Sequence, residues 1–463
     1  MQWQVEKDQE MKGSMRVFFL AVSVLVSLSG CSKESEKPKD LSLLTTTTVI
    51  GEIAGRQEKD GAWGSQPVRN ISQVEFASTG RGVFYIAEAA GQFHVVHNGK
   101  KGTPYTNILT PVLSPDGQRA AYQAYLDDKP RMVVDGREGE VAEELEVPFF
   151  SPDSRHSAYQ AKIGGRWHFV VDGRKFPGHL TQHNQFGFSA DSTKIAYVDS
   201  VDERAKPRLV VTDLNFKQQS VREATGATMV ISEDKTRIAA TSEIGGRQRV
   251  VELSFAKPDS VKEGRLYDSI KGLVISADGS SVAYLAEKGG TRVVVFNGEE
   301  KPFPAGDLVG PIILLPANKG IGFLTSSKGT CTLHHPFSGG AVEQRQYDEV
   351  GELAYSKDGG YVYLGRKETP GRSGRSIFVV VNGKEGPKFD KVIKPTFSPD
   401  GQRVVYRVRQ DGKRFMVVSD LNGKIVRQDP EYEMVFPPVF SADGKLAYGV
   451  KDGAKLVWKV EKL

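Results

Sequence analysis

A short turn motif recurs along the chain at a nearly constant interval, and this repetition limits the possible folds more than any other feature of the sequence. Ser-Pro-Asp-Gly occurs at Ser114–Gly117 and again at Ser398–Gly401. Close variants begin at Ser151, Ser189, Ser232, Ser276, Ser356 and Ser441, and two degenerate copies lie near Thr79 and Asn318. Successive copies are about 37 to 44 residues apart, which is the length of one four-stranded propeller blade.

Each copy predicts four short antiparallel strands. A short apolar strand precedes the turn, in which Pro presets φ while Asp and Gly accept the bend. The second strand carries an aromatic ring at one fixed position, where it can fill the wedge between neighbouring sheets. That position holds Tyr85, Tyr122, Tyr159, Tyr197, Tyr284, Phe323, Tyr363, Tyr406 and Tyr448, with Ala240 as the exception. Asn-Gly, Asp-Gly or Gly-Gly pairs close the later hairpins, because type I′ turns need positive φ at both central residues.

The two ends of the chain complement each other. The last copy stops after its third strand, residues 456–460, and residues 67–71 precede the first copy where a fourth strand is expected. We therefore predict an all-β fold, a β-propeller of about ten four-stranded repeats in one ring, closed by an N-terminal strand that completes the last blade. Ten exceeds the usual four to eight blades, so two five-bladed rings or fewer blades remain alternatives.

The N-terminal region has the pattern of an export signal. An uncharged stretch of about fourteen residues, 17–30, follows Met15-Arg16 and is too short to span a bilayer. It ends in Leu28-Ser29-Gly30-Cys31, which resembles the lipobox of bacterial lipoproteins. The resemblance implies a diacylglyceryl group on the sulfur of Cys31.

These features predict three segments. Residues 1–30 form a signal peptide, although translation could also start at Met11 or Met15; residues 31–46 form the lipidated N-terminus and a flexible polar tether; and residues 47–463 form the propeller. Acyl chains on one cysteine attach a protein firmly to a membrane, so the membrane is a predicted partner. Ser32 follows the cysteine, and the lipoprotein pattern then implies the outer membrane, with the protein facing the periplasm or the cell surface.

The repeat itself resembles the TolB-like family of WD40-like (PD40) propellers, whose repeat has the same turn followed by a strand with an aromatic residue. The resemblance covers about residues 60–463. It implies the propeller fold and indicates little about activity.

Charge and cysteine content narrow the function classes. The net charge of +5 comes from 62 basic and 57 acidic residues without a concentrated basic run, so we predict no binding of nucleic acid. If lipid occupies Cys31, Cys331 has no disulfide partner, and its apolar surroundings predict a buried, unreactive thiol.

No pattern of catalytic residues is evident. The residue two before each turn serine is expected to face the centre of the ring, and these residues are mostly apolar: Glu75, Val112, Phe149, Gly187, Val230, Val274, Ala354, Thr396 and Val439. Such a ring offers no paired general acid and base. The nearest match to a hydrolase nucleophile motif, residues 371–375, fails at its last position. We therefore predict no catalytic residue and no cofactor.

We also predict no metal site. His179 and His183 have the spacing to share a strand face, but no nearby acidic residue or cysteine completes a ligand set. His334 and His335 would point to opposite faces of a strand. The turn aspartates provide one carboxylate each, which is too few for calcium, and turn stabilisation explains them.

The sequence thus predicts a membrane-anchored, non-catalytic propeller that binds a protein or glycan partner in the bacterial cell envelope. Two alternatives remain: a carbohydrate-active enzyme similar to the propeller polysaccharide lyases, and a structural component of envelope assembly.

Overall fold

The computed structural model describes residues 45–52, 68–76, 82–177, 186–199, 207–217, 219–223, 228–338, 343–368, 375–441, 444–453 and 455–463. These residues form ten antiparallel sheets, each with four strand positions, and confirm the predicted all-β propeller of ten blades. Within them, no helix has the length and apolar character needed to cross a membrane. The predicted signal peptide and Cys31 lie outside the described residues.

Blades are numbered here in chain order. The strands of blades 1 to 5 are Val68–Phe76, Val83–Ala89, Gln92–His97 and Lys100–Tyr105; Asn107–Leu113, Ala120–Leu126, Lys129–Val134 and Arg137–Val141; Glu144–Leu145 with Phe149–Phe150, Ser157–Ile163, Arg166–Val171 and Arg174–Pro177; Phe186–Phe188, Lys194–Asp199, Arg208–Asp213 and Gln219–Glu223; and Met229–Ile231, Arg237–Ile244, Arg247–Ser254 and Lys262–Glu263. In blade 3 the first strand is broken into two segments.

The strands of blades 6 to 10 are Ser269–Ile275, Val282–Lys288, Thr291–Phe296 and Glu299–Pro302; Asp307–Leu314, Ile321–Ser327, Thr330–His334 and Glu343–Gln346; Glu349–Tyr355, Tyr361–Glu368, Arg375–Val381 and Lys384–Phe389; Lys391–Phe397, Val404–Gln410, Lys413–Ser419 and Ile425–Gln428; and Met434–Val435 with Val439–Phe440, Leu446–Asp452, Lys455–Glu461 and Thr45–Glu52. A short 3₁₀ turn, Pro316–Asn318, replaces the Ser-Pro-Asp-Gly turn in blade 7.

An N-terminal strand closes the ring, as predicted, but it is not the predicted segment. Thr45–Glu52 pairs antiparallel with Lys455–Glu461 and completes blade 10. The predicted segment, residues 67–71, instead overlaps the first strand of blade 1, which pairs with Val83–Ala89. First strands of neighbouring blades lie side by side around the centre, whereas the closing strand lies at the outer edge of its blade. The closing strand is therefore about 15 Å, or three strand spacings, from the first strand of its own blade.

Apolar clusters fill the spaces between successive blades. Between blades 8 and 9, for example, Val379 and Val381 pack against Tyr406, Phe415 and Val417. The repeated aromatic position is buried in all its copies except the partly buried Tyr159. Each sheet thus covers its apolar faces with the sheets on either side, which is the packing that the repeat predicts.

A second tyrosine links neighbouring blades at three junctions. Tyr105 lies beside Tyr122 with ring centroids 6.2 Å apart, and its hydroxyl donates to Glu138 Oε1 at 2.8 Å. Tyr267 donates in the same way to Glu300 at 2.9 Å, and Tyr347 donates to Glu385 at 3.0 Å. Because tyrosine and carboxylate belong to successive repeats, each bond fixes one blade against the next.

The turn motif is stabilised by its own side chains. Ser398 Oγ donates to Asp400 Oδ1 at 2.5 Å and accepts the Arg403 backbone N–H at 3.0 Å, while Asp400 Oδ1 accepts the Gln402 backbone N–H at 3.0 Å. The same contacts recur at Ser114, Ser151, Ser189, Ser232 and Ser276. The predicted turn role of the aspartates is therefore confirmed.

Replacing a turn serine should destabilise the ring measurably. Ser398 is only 5% exposed, so Ser398→Ala leaves the part-buried N–H of Arg403 without its acceptor, at a cost of about 1–3 kcal/mol. We expect a lower urea midpoint for Ser398→Ala. The exposed Ser327 provides the control, because Ser327→Ala should change stability by less than about 0.5 kcal/mol. Equal midpoints for both variants would contradict this assignment.

Candidate functional site

The first strands, which surround the centre of the ring, contain a repeated irregularity. In six blades the pairing of the first and second strands shifts in mid-strand, at Ser72/Glu75, Leu109/Val112, Lys271/Val274, Val309/Ile313, Gly351/Ala354 and Ile393/Thr396. In blades 6 and 7 a glycine, Gly272 or Gly310, takes the positive φ that the bulge requires.

In blades 2, 8 and 9 the same position holds a residue with a side chain. Thr110, Glu352 and Lys394 have φ values of 47°, 53° and 47°. A non-glycine residue in this region costs about 1–3 kcal/mol, and such residues concentrate at functional sites. Because glycine serves at the equivalent position in two other blades, the charged side chains of Glu352 and Lys394 mark the centre of the ring at blades 8 and 9 as the candidate site.

Glu352 and Lys394 are in direct contact. Glu352 Oε2 accepts the backbone N–H of Lys394 at 2.7 Å. Desolvation by the surrounding inner strands raises the pKa of the Glu352 carboxyl, against the opposing effects of that hydrogen bond and of the positive charges of Lys394, Arg366 and Arg407. Both side chains are nevertheless exposed, so they remain available to a ligand at the centre of the ring.

Arg407 extends this site towards blade 10. Its Nη1 donates to the Val435 carbonyl oxygen at 3.2 Å, at the point where the first strand of blade 10 breaks. Gln123 does the same for the broken first strand of blade 3, where its Nε2 donates to the Leu145 carbonyl at 3.1 Å. Burial lowers the pKa of Arg407, and the charge of Glu352 opposes that effect. Neither residue was predicted from the sequence, although each is a polar residue within an apolar second strand.

The nine residues of the predicted inner ring all lie on first strands. All nine residues two before the turn position, Glu75, Val112, Phe149, Gly187, Val230, Val274, Ala354, Thr396 and Val439, are partly buried. Glu75 is the one ionisable member, and burial raises the pKa of its carboxyl to about 7. A carboxyl with this pKa at the centre of the ring can exchange protons near neutral pH.

The two histidines at the end of the third strand of blade 7 form separate contacts. His334 Nε2 is 2.8 Å from Thr325 Oγ1, whereas His335 Nε2 is 2.7 Å from the Tyr355 hydroxyl of blade 8. Burial lowers the pKa of both imidazoles. In the part of the chain that is described, no three His, Cys, Asp or Glu side chains converge as metal ligands do. His179, His183 and residues 371–374 lie outside that part.

Cys331 is buried, as predicted, and forms no disulfide. Its thiol lies 3.7 Å from the Tyr347 carbonyl oxygen and 3.9 Å from Ser326 Oγ. Burial raises the pKa of the thiol, which disfavours the reactive thiolate.

Comparison with known proteins supports the fold only. No family model matches the chain, and no curated protein matches it. Among solved structures, the chain is similar to a eukaryotic initiation factor, with 14% identity and a TM-score of 0.47 over 80% of this chain and 89% of that chain. It is also similar to TolB from Acinetobacter baumannii, with 14% identity and a TM-score of 0.26 over 85% of this chain and 63% of TolB.

An oligogalacturonate lyase from Vibrio parahaemolyticus is a further similar structure, with 12% identity and a TM-score of 0.32 over 77% of this chain and 98% of the lyase. Identities this low concern the fold alone, and TM-scores below 0.5 give no argument about function. The resemblance to TolB-like proteins is thus supported only as far as a propeller with TolB among its structural neighbours.

The raised pKa of Glu75 predicts a pH-dependent stability. Below about pH 4.5 the carboxyl is protonated in both the folded and the unfolded chain, so it does not change the free energy of unfolding. Between pH 4.5 and about 7 the carboxyl ionises in the unfolded chain but stays protonated in the folded chain, and the free energy of unfolding therefore falls. The full decrease is about 2 kcal/mol, which allows for the partial exposure of the side chain. Glu75→Gln should therefore stabilise the protein by about that amount at pH 8 and by little at pH 4.

Urea unfolding of the wild type and Glu75→Gln at the two pH values measures this difference. The exposed Glu431 provides the control, because Glu431→Gln should have the same small effect at both pH values. A constant difference between Glu75→Gln and the wild type from pH 4 to pH 8 would contradict the assigned burial.

Proposed function

We propose that the protein is a membrane-anchored, non-catalytic propeller of the bacterial cell envelope that binds a protein or glycan partner at the centre of its ring. The supporting observation is the pair of exposed, charged side chains, Glu352 and Lys394, held at backbone positions where glycine costs less. Bulges at strand edges re-aim side chains, and strained residues persist where function requires them.

The lipid anchor is the part of the proposal that rests on sequence alone. Diacylglyceryl attachment at Cys31, inside a lipobox-like sequence, would hold the ring at the outer membrane on a tether that ends where the closing strand begins at Thr45. A Cys31→Ser variant should then move from the detergent phase to the aqueous phase in a detergent-partition assay. Retention in the detergent phase would contradict attachment at this residue.

The binding test uses glycine to separate function from folding. Glu352→Gly/Lys394→Gly removes both charges while relieving two left-handed conformations, so stability should stay within about 1 kcal/mol of the wild type. In pull-downs from detergent-solubilised envelopes, the wild type should repeatedly return the same protein or glycan, and the variant should return at least tenfold less. Repeated failure of the wild type to return a partner, or equal recovery by the variant, would contradict the proposal.

A second candidate is a carbohydrate-active enzyme of the polysaccharide lyase type. Glu75 supports it, because a carboxyl with a pKa of about 7 could accept a proton at neutral pH. Two cations of blade 9, Lys394 and Arg407, could stabilise a developing negative charge on a polymer bound across the centre of the ring. Cleavage of an acidic polysaccharide by the wild type and not by Glu75→Gln, in a panel assayed with and without added divalent metal, would establish this function instead.

A further inference from the structure

Blade 9 carries most of the excess positive charge of the chain. Residues 391–428 contain nine basic and three acidic side chains, an excess of six, compared with a net charge of +5 for all 463 residues. The remainder of the chain is therefore close to neutral, and the positive charge is concentrated in one blade of ten. Such a local excess attracts negatively charged partners.

Three of these cations stand opposite one another across three adjacent strands. Lys391 pairs with Arg409, and Arg409 pairs with Arg414, so the three residues form one row across the first, second and third strands. We name Lys391, Arg409 and Arg414 the cationic row. Like charges directly opposite each other in a sheet are destabilising.

Other blades have complementary charges at the same register. In blade 8, Glu349 pairs with Arg366, and their side chains form an ion pair of 2.7 Å. In blade 3, Glu144 pairs with Lys162, again with an ion pair of 2.7 Å. Blade 9 alone of these three has cations on both strands, so stability does not explain the cationic row.

Within the described ranges, the neighbouring carboxylates form no ion pair with the row. Asp390 Oδ2 accepts the backbone N–H of Asp411 at 2.7 Å, and Glu433 forms an ion pair with Lys451. Glu431 is exposed at the surface. Among the described residues, no hydrogen bond or ion pair engages the side chain of Lys391 or Arg409.

An apolar side chain is exposed beside the row. Arg414 Nη1 donates to the Glu433 carbonyl oxygen at 2.7 Å, and Arg407 Nη1 donates to the Val435 carbonyl oxygen at 3.2 Å. Met434 lies between these two carbonyls and is 37% exposed. Arginine and methionine are both enriched at protein interfaces, and an exposed methionine among cations suits a peptide better than it suits a sugar.

The row also lies on the side of the ring away from the start of the closing strand. In blade 10, Thr45 pairs with Glu461, and Glu461 pairs with Leu446. Leu446 directly follows the turn that begins at Ser441, so the closing strand begins at the end of the sheet that carries this turn. The cationic row lies at the other end of the sheet, beside the Asp411-Gly412 hairpin. The row thus lies away from the first residue of the closing strand, where the proposed lipid anchor would hold the chain near the membrane, and this placement favours a soluble partner over the lipid surface.

We propose that the cationic row, together with Met434, is a docking site for an acidic peptide segment that carries apolar side chains between its carboxylates. Lys391 and Arg409 bind carboxylates of the segment, and Met434 contacts an apolar side chain. This assignment rests on the proposed binding function and specifies the chemistry of its partner.

One substitution separates docking from folding. Lys391→Glu creates the carboxylate–arginine pair that blade 8 has in Glu349 and Arg366, so we expect an unchanged or higher melting temperature. The same change should weaken binding of a fluorescein-labelled peptide, EELEELEE, at least tenfold in fluorescence anisotropy at low salt. Lys129→Glu is the matched control, because it makes the same change of charge at an exposed strand-end lysine of blade 2, outside the cationic row, and it should weaken binding less than twofold.

Three further measurements decide the ligand class. Replacing the leucines of the peptide by serine should weaken binding at least threefold, and raising the salt should weaken it further. Equal effects of Lys391→Glu and Lys129→Glu would overturn the proposal, because they would show a response to net charge alone. It would also be overturned if Lys391→Glu abolished binding to polygalacturonate or to phosphatidylglycerol vesicles but not to the peptide.

The pull-down described above distinguishes this inference from the proposed function. If Lys391→Glu recovers the envelope partner as well as the wild type does while Glu352→Gly/Lys394→Gly does not, the docking site is wrong and the proposed function stands. If the wild type recovers no partner, the proposed function itself fails.

Discussion

The antiparallel pairing of Thr45–Glu52 with Lys455–Glu461 is the interaction on which the rest of the structure depends. Each blade covers its apolar faces with the blades beside it, so an open row of ten sheets would leave two apolar faces in water. Pairing of the two chain ends in one sheet holds blade 10 to the start of the chain. The two apolar faces that an open row would expose to water can then cover each other. The turns, the aromatic positions and the interblade hydrogen bonds operate within a ring that is already closed.

A buried network of charged side chains reinforces the same region. Arg427 of blade 9 donates to Asp429 at 3.0 Å and pairs with Glu461 of the last strand, and Lys459 lies 3.3 Å from Glu461. The Tyr448 hydroxyl donates to Glu461 at 3.0 Å. Removing one member of such a network leaves a buried charge without its partner, so the network penalises displacement of the last strand. The closing strand therefore pairs with a strand that is itself firmly held.

Closure of the ring also holds the first strands, and the candidate site on them, in fixed positions around the centre. Bulges in the first strands turn Glu352 and Lys394 out of the ladder, and the polar side chains of Gln123 and Arg407 satisfy carbonyl groups where first strands break. Blade 9, which holds Lys394 and Arg407 of this candidate site, also carries the cationic row.

The sequence predicted the features that repeat and missed those that depend on pairing at a distance. Ser-Pro-Asp-Gly, the aromatic position and the Asn-Gly turns act locally, so their spacing indicated ten blades. Thr45–Glu52 has no turn motif, and its role follows only from its pairing with a strand about four hundred residues later, so the predicted closing segment was wrong.

The residues of the candidate site also divide into those that could be predicted from the sequence and those that could not. Glu75 was visible as the one ionisable member of an apolar ring. Glu352 and Lys394 could not be recognised in the same way. They occupy bulge positions that hold glycine in two other blades, and no residue pattern in the sequence marks these positions. The cationic row could have been found by aligning the blades on their aromatic residues, since Arg409 and Arg366 both lie three residues after that position.

Disulfide trapping of the closing strand tests the central claim most directly. In a Cys31→Ser, Cys331→Ala background, Thr46→Cys/Val460→Cys places two thiols at paired positions of blade 10, whereas Val68→Cys/Val460→Cys tests the alternative in which the segment near residue 68 completes that blade. The account predicts that the first pair forms an intramolecular disulfide under mild oxidation and raises the melting temperature, and that the second pair stays reduced. Oxidation of the second pair, with the first remaining reduced, would contradict it.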